Sequence, residues 1–139
     1  MREGEAAVVR AFLVTHQCGQ YDDAIPCSAA DTIVTEMALK YGRADIVVFH
    51  LDGTASVIEA KDGSRGYTHV VGGIGQAALY ATQLAMTKGA LRAVRKCLMW
   101  SSTGDVMLDA LICTACELAG VVPMPMQAAH SLTVSLAAV

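Results

Sequence analysis

Three ionisable residues, Asp45, Glu59 and Lys61, lie at the ends of two apolar runs that are joined by a turn sequence. The runs ADIVVF and TASVIEA are rich in β-branched residues, and the Asp-Gly pair within HLDGT between them indicates a hairpin turn. Since side chains alternate along a strand, Glu59 and Lys61 project to one face and Ala60 to the other. The hairpin therefore predicts two carboxylates and one amine on one side of a sheet, an arrangement suited to a hard divalent cation beside a proton-handling or charge-stabilising lysine.

The same three residues also have a purely structural interpretation. Asp45 would cap a strand, and Glu59 with Lys61 would form an exposed charged pair on an edge strand, where charges protect against aggregation. Against this interpretation, the flanking sequence is almost entirely apolar, so these charges lie in a region whose composition favours burial. Unpaired charge is costly in such a region. We therefore favour a functional site.

An aspartate, a hairpin, a Glu-x-Lys motif and a following helix that carries a glutamine together resemble the PD-(D/E)XK nuclease superfamily. The matching residues are Asp45, Glu59, Lys61 and Gln76, the last within GGIGQAALYATQLA. Ala44 stands where the eponymous proline would be. The resemblance implies an α/β, restriction-endonuclease-like fold and metal-dependent hydrolysis of phosphodiester bonds in nucleic acid, which we expect to be DNA. It also implies Mg²⁺ or Mn²⁺, held by both carboxylates and the backbone carbonyl of Ala60.

The resemblance implies further roles for residues outside the hairpin. Glu5, on a predicted first helix, would complete the metal site, with Glu3 as the near alternative and Glu36 as a competing third acid. Gln76, near the start of the following helix, would bond the lysine, a metal-bound water or the nucleic-acid backbone. Phosphate or substrate contacts are expected from a loop over the site and from the same helix wall, at Arg65, Tyr67, His69 and Tyr80.

Length and composition agree with one domain over residues 1–139. The chain is 54% hydrophobic with a mean hydropathy of +0.44, yet no uninterrupted apolar run is long enough to span a bilayer. The apolar excess indicates a sheet with helices on both faces and a subunit interface, so we expect a homodimer or a higher homo-oligomer and no membrane partner. The N-terminal segment lacks the features of a secretory signal, so we expect a cytoplasmic protein.

Charge and cysteine content give weaker signals. The net charge of −3 weakens the case for nucleic-acid binding, although a basic group at Lys88, Arg92, Arg95 and Lys96 partly restores it. That group would otherwise be a solvated helix end. The CTAC sequence at Cys113–Cys116 has no second ligand pair, so we expect buried free thiols rather than a zinc site. His16, His50 and His130 show no metal-ligand spacing.

Periodicity and turn signals predict the element order α-β-β-β-α-β-α-β, with an antiparallel meander that leads into a crossover helix and hence a mixed sheet. The segment 30–39 fits a helix or a strand, and we favour the strand because it extends the meander. Residues 64–73 are predicted to be a glycine-rich loop. The predicted elements are helices over 4–15, 74–87 and 105–119, the hairpin strands, and strands at RKCLMWSS and VVPMPM.

Two other functions remain open. The chain would be a catalytically inactive domain that keeps the nuclease fold and binds nucleic acid or protein, which the retention of Asp45, Glu59 and Lys61 argues against. Alternatively, it would be an oligomeric structural protein whose hairpin charges form an interface ion network. The apolar composition favours that second alternative, but Gln76 has no role in it.

Overall fold

The computed structural model describes residues 2–16, 21, 23–87 and 89–126. Three helices and five strands follow one another in the predicted order, with one turn of 3-10 helix at Gly63–Arg65. Segment 30–39 forms a strand rather than a helix, as favoured. The elements are α1 Glu3–His16, β1 Thr32–Leu39, β2 Gly42–Phe49, β3 Ala55–Lys61, α2 Tyr67–Thr87, β4 Val94–Ser101, α3 Val106–Leu118 and β5 Val122–Met126.

The strands form one mixed sheet in the order β1-β2-β3-β4-β5. The first three strands pair antiparallel, as a meander joined by short turns must, whereas the helical crossovers make β3, β4 and β5 parallel. Because β2 runs against β3, the first residues of β2 lie beside the last residues of β3. This arrangement brings Asp45 and Glu59 to the same end of the sheet.

The two faces of the sheet are covered by different helices, as the alternation of buried side chains requires. Helix α1 packs on one face, where Phe12 joins Ile46, Ile58 and Met99 in one apolar cluster. Helices α2 and α3 cover the other face. The mixed sheet with helices on both faces confirms the predicted α/β class.

One predicted boundary is wrong. The segment 64–73 is a loop only as far as Gly66, and α2 begins at Tyr67, so Gln76 lies in the middle of the helix rather than at its start. Glycine is a poor helix former, which is why the sequence favoured a loop here. Gly73 is instead required by packing, because a Cβ at this position would lie 2.5 Å from Leu98 Cδ1. Tertiary contact with β4 therefore decides the conformation.

Helix α3 begins where the sequence predicted it would. The Asp105 carboxylate accepts hydrogen bonds from the backbone N–H groups of Met107 (2.9 Å) and Leu108 (3.2 Å), which satisfies two otherwise unpaired donors of the first turn. Among the described residues, no helix is long and apolar enough to cross a bilayer. Among the described cysteines, Cys97 and Cys116 are buried free thiols, Cys113 is a partly buried free thiol, and Cys27 is partly buried.

Candidate active site

Asp45 and Glu59 face each other across β2 and β3, just beyond the last paired residues of the two strands. The register pairs Ile46 with Ile58 and Val47 with Val57, so its continuation places Asp45 opposite Glu59. The backbone N–H of Asp45 donates to Glu59 Oε1 at 3.3 Å, and the N–H of Ala60 donates to Asp45 Oδ2 at 2.9 Å. Each carboxylate is therefore fixed by the backbone of the opposite strand.

The two carboxyl groups are buried together, and burial sets their acidity. Glu59 is only 3% exposed; its burial, followed by the nearby charge of Asp45, raises its pKa to about 8. Burial also raises the pKa of Asp45, against the opposing effect of the hydrogen bond from Ala60. The two side chains are hydrogen-bonded to each other. Near neutral pH, Glu59 therefore holds a proton.

Lys61 lies next to this pair and packs against α2, the crossover helix between β3 and β4. A Cβ at Gly73 of α2 would lie 3.2 Å from Lys61 Cγ and 3.3 Å from its Cε, so the lysine stem runs along the helix at that position. The lysine charge lowers the pKa of both Asp45 and Glu59, so its ammonium group is close enough to act on both acids. The three residues of the hairpin motif therefore converge on one face.

Helix α2 provides the wall of this site through Gln76 and Tyr80. Gln76 Oε1 is buried and has no hydrogen-bond partner among the described residues, which is costly unless a ligand or water supplies a donor. Burial, followed by the charges of Glu59 and Asp45, raises the pKa of Tyr80. Tyr80 therefore lies beside the acid pair, and Gln76, one helical turn before it on α2, presents an acceptor that the described residues leave unused.

Glu5 lies at the other side of the site but has its own partners. Its Oε1 is 2.9 Å from His69 Nε2 and 3.5 Å from Arg65 Nη1, while its buried Oε2 has no partner among the described residues. The charge of Glu5 raises the pKa of Asp45, so the two acids are near each other. No three His, Cys, Asp or Glu residues in the described part of the chain form a group ready to hold a metal ion. Glu5 is thus near the Asp45–Glu59 pair, but its own polar contacts are with His69 and Arg65.

The other two predicted acids, Glu3 and Glu36, and the predicted substrate contact Tyr67 lie outside this cluster. Glu3 is exposed and pairs with Arg10 at 3.2 Å. Glu36 lies on β1, and its Oε1 is 3.7 Å from Arg43 Nη1. Its backbone has φ 50°, at the point where the pairing of β1 with β2 omits Glu36 and Asp45. Tyr67, in the first turn of α2, is 53% exposed. The structure therefore leaves Glu5 as the acid nearest to completing the pair.

The basic group lies at the opposite end of the sheet from the acids. The first residue of β4, Val94, pairs with Ala55 at the start of β3, whereas Lys61 at the end of β3 pairs with Trp100 near the end of β4. Arg92 Nη1 donates to the backbone oxygen of Asp52 (2.8 Å), and Arg95 Nη1 donates to Thr54 Oγ1 (2.6 Å). Lys88 is outside the described residues. Arg92 and Arg95 therefore stabilise the β2–β3 turn and are not part of the acid site.

A second polar cluster was not foreseeable from spacing. Asp31 Oδ2 lies 3.3 Å from His16 Nε2 and 3.1 Å from His50 Nδ1, and His50 Nε2 is 2.7 Å from Ser56 Oγ. The serine–histidine–aspartate contacts resemble a hydrolase triad, but Ser56 is 0% exposed and no substrate can reach it. The cluster instead connects the end of α1 and the segment before β1 to the sheet. His130 lies outside the described residues.

The comparisons with known proteins support the fold. No family model matches the sequence, and no curated protein matches it. Among solved structures, a repair endonuclease from Pyrococcus abyssi is similar over 91% of this chain and 49% of its own, with a TM-score of 0.57 and 18% identity. An EndoMS complex with double-stranded DNA is similar over 91% of this chain and 46% of its own, with a TM-score of 0.55 and 17% identity.

The chain therefore spans about half the length of each of these two solved structures. At such low identity the similarity concerns the fold alone, an α/β fold with a mixed five-stranded sheet.

Proposed function

We propose that this chain is a metal-dependent nuclease of the PD-(D/E)XK superfamily that hydrolyses phosphodiester bonds in DNA. The observation that carries the proposal is the buried pair Asp45 and Glu59 with Lys61 beside it. This arrangement serves no evident packing purpose, because two carboxyl groups held together away from water destabilise the fold. The fold shared with two endonucleases, one of them in complex with double-stranded DNA, supports the same activity and substrate.

The donor atoms fit Mg²⁺ or Mn²⁺. Mg²⁺ is commonly held by one or two carboxylates together with several waters, so Asp45 and Glu59 suffice as protein side chains. Ala60 can add its backbone carbonyl, because the N–H and C=O of one strand residue point to the same edge of the strand. The N–H of Ala60 points to Asp45, beyond the last residue pair of β2 with β3. Glu5, whose Oε2 lacks a partner, would be an outer ligand or bond a metal-bound water.

A divalent cation bound there would act as a Lewis acid on the phosphodiester and make an attacking water more acidic. The residues of the chain then have separate tasks. Lys61 would orient that water or stabilise the charge that develops on the phosphoryl oxygens. Gln76 would accept a hydrogen bond from the water or from the lysine through its unused Oε1. Tyr80 would limit access of bulk water, and Arg65 and Tyr67 would contact the substrate backbone.

A cleavage assay tests this proposal. Labelled single-stranded, duplex, branched and flapped DNA, with matching RNAs, would be incubated with Mg²⁺ or Mn²⁺ and with a chelator. We expect metal-dependent cutting by wild type, none by Lys61→Ala, and normal cutting by Lys96→Ala, which removes a lysine from the far end of the same sheet. No cutting by folded wild-type protein on any substrate would favour the non-catalytic alternative.

We also infer that the chain forms a homo-oligomer, because helix α3 exposes large apolar side chains. Met107 is 77% exposed, Leu111 62% and Leu118 85%, and exposed apolar patches commonly mark interaction surfaces. Light scattering coupled to size-exclusion chromatography would test this, and Leu111→Lys should shift an oligomer towards monomer. A wild-type monomer would contradict the inference. A cytoplasmic location stays a prediction.

A further inference from the structure

The turn between β1 and β2 lies at the same end of the sheet as the acid pair. This turn, Lys40–Arg43, is called the Tyr41 turn below. Strand β2 begins at Gly42, and Asp45 follows Tyr41 by four residues, which is at most about 13 Å of strand. That distance corresponds to roughly four stacked base steps. A nucleic-acid strand that crosses the acid pair can therefore also reach this turn.

The Tyr41 turn exposes an aromatic ring between two cationic side chains. Tyr41 is 62% exposed, and Lys40 Nζ lies over its ring, 5.4 Å from the centroid. The side chain of Arg43 is 64% exposed, and its nearest acid is Glu36 at 3.7 Å. A solvent-exposed aromatic face flanked by lysine and arginine is the combination that binds unpaired nucleotides, because bases stack on the ring and phosphates pair with the cations.

The backbone of the turn is fixed, although its side chains are exposed. Gln83 of α2 holds Tyr41 with two hydrogen bonds: its Oε1 accepts from the Tyr41 N–H (2.9 Å), and its Nε2 donates to the Tyr41 oxygen (2.8 Å). Gly42 has φ 107°, and a Cβ there would lie 2.5 Å from Tyr80 Cε1. Because the backbone that carries the Tyr41 ring is already fixed, the turn loses little conformational freedom when a ligand binds.

Tyr80 connects the turn to the acid pair. Its ring contacts Gly42 on one side, while its pKa is raised by burial and then by the charges of Glu59 and Asp45. The surface of the Tyr41 turn thus leads across Tyr80 to Asp45, the partly exposed member of the acid pair. Since a ring can stack only on a base whose face is free, this surface fits unpaired nucleotides rather than an intact duplex.

We propose that the Tyr41 turn is a substrate subsite that stacks an unpaired base on Tyr41 and holds the neighbouring phosphates with Lys40 and Arg43. The substrate class is accordingly DNA with single-stranded nucleotides next to the cleaved bond, such as a flap, an extension or a free end. This inference rests on the proposed nuclease function and specifies the substrate of that site. Gln83 is a positioning residue in it.

A binding experiment tests the subsite separately from cleavage. In a Lys61→Ala background with Ca²⁺, fluorescence anisotropy would compare a blunt duplex with the same duplex carrying a single-stranded extension labelled with 2-aminopurine. We expect Tyr41→Ala to weaken binding of the extended DNA by roughly 5- to 150-fold, to abolish the fluorescence change of the base, and to leave blunt duplex unaffected. Tyr41→Phe should keep the affinity because it keeps the ring.

Leu51→Ala is the matched control, because Leu51 is 70% exposed in the turn at the opposite end of the sheet and should have no effect. Equal binding of extended DNA by Tyr41→Ala and its parent would overturn the subsite, as would an equal loss for both DNAs. The two proposals also fail distinguishably. If wild type cuts DNA normally and Tyr41→Ala leaves the affinity for extended DNA unchanged, the subsite alone is refuted. If the labelled base stacks on Tyr41 but the protein shows no metal-dependent cutting, the nuclease proposal alone is refuted.

Discussion

Replacing Glu59 by glutamine should stabilise the metal-free protein at alkaline pH. Burial raises the pKa of Glu59 from its ordinary value of 4.5 to about 8. Below pH 4.5, the folded and unfolded states both hold the proton. Between these values the folded state keeps the proton while the unfolded state releases it, so stability falls as the pH rises and becomes level above about 8. The glutamine variant has no such proton to lose.

The displacement of about 3.5 pH units, at about 1.4 kcal/mol per unit, corresponds to up to about 5 kcal/mol. Glutamine keeps the local contacts, because its oxygen can still accept from the Asp45 N–H and its amide can donate to the Asp45 carboxylate. The stability of the variant relative to wild type should therefore rise by several kcal/mol between pH 5 and pH 9.

Urea unfolding in a chelator, followed by fluorescence, measures this difference. Trp100 is the only tryptophan in the chain and is 0% exposed, so its emission reports loss of the core. Glu36→Gln, which removes a largely exposed acid, should follow wild type at every pH. Parallel pH profiles for wild type and Glu59→Gln would refute the conclusion that the acid pair is protonated and destabilising. Added Mg²⁺ should stabilise wild type more than the glutamine variant.

Four further substitutions test the packing and the backbone of the fold. Gly73→Ala should lose about 1–3 kcal/mol of stability and slow cleavage, because its Cβ would lie 2.5 Å from Leu98 Cδ1. Gly72→Ala, with nothing within 4 Å, should gain about 0.5–1 kcal/mol, and equal urea midpoints for the two variants would contradict this packing. Asp31→Ala should cost about 1–3 kcal/mol, since buried His50 loses the carboxylate to which it is hydrogen-bonded, yet leave cleavage by the folded fraction unchanged; a stable but inactive variant would contradict a structural role. Glu36→Gly should raise the melting temperature by relieving φ 50°, a gain of about 1 kcal/mol, and a lower melting temperature would argue against strain there.

Local patterns were sufficient to predict the sheet and the β2–β3 hairpin. The Asp-Gly turn and the alternation around Glu59 and Lys61 determine which side chains share a face, and the register of β2 with β3 follows from them. Asp105 marked the start of α3 because its side chain caps the first turn, a contact between residues close in sequence. Such short-range determinants are visible in the sequence itself.

Contacts between distant segments could not be predicted in the same way. Helix α2 begins at Tyr67 despite its glycines because Gly73 must approach β4 closely. The bonds from Gln83 to Tyr41 join residues 42 positions apart, and no spacing rule indicates them. The basic residues Arg92 and Arg95 follow the acid motif and α2 in the chain, and parallel pairing of β3 and β4 places them at the other end of the sheet.

The Mg²⁺ dependence of DNA cleavage, measured side by side for wild type and Glu59→Gln, tests the central claim most directly. The assay would use the substrate that wild type cuts best, with Glu36→Gln as the matched acid-to-amide control. We predict that the cleavage rate of wild type and the control rises with Mg²⁺ to saturation and falls to background in a chelator, while Glu59→Gln stays at background throughout. Cleavage that persists in the chelator, or an unchanged rate in Glu59→Gln, would contradict a metal-dependent nuclease site at Asp45 and Glu59.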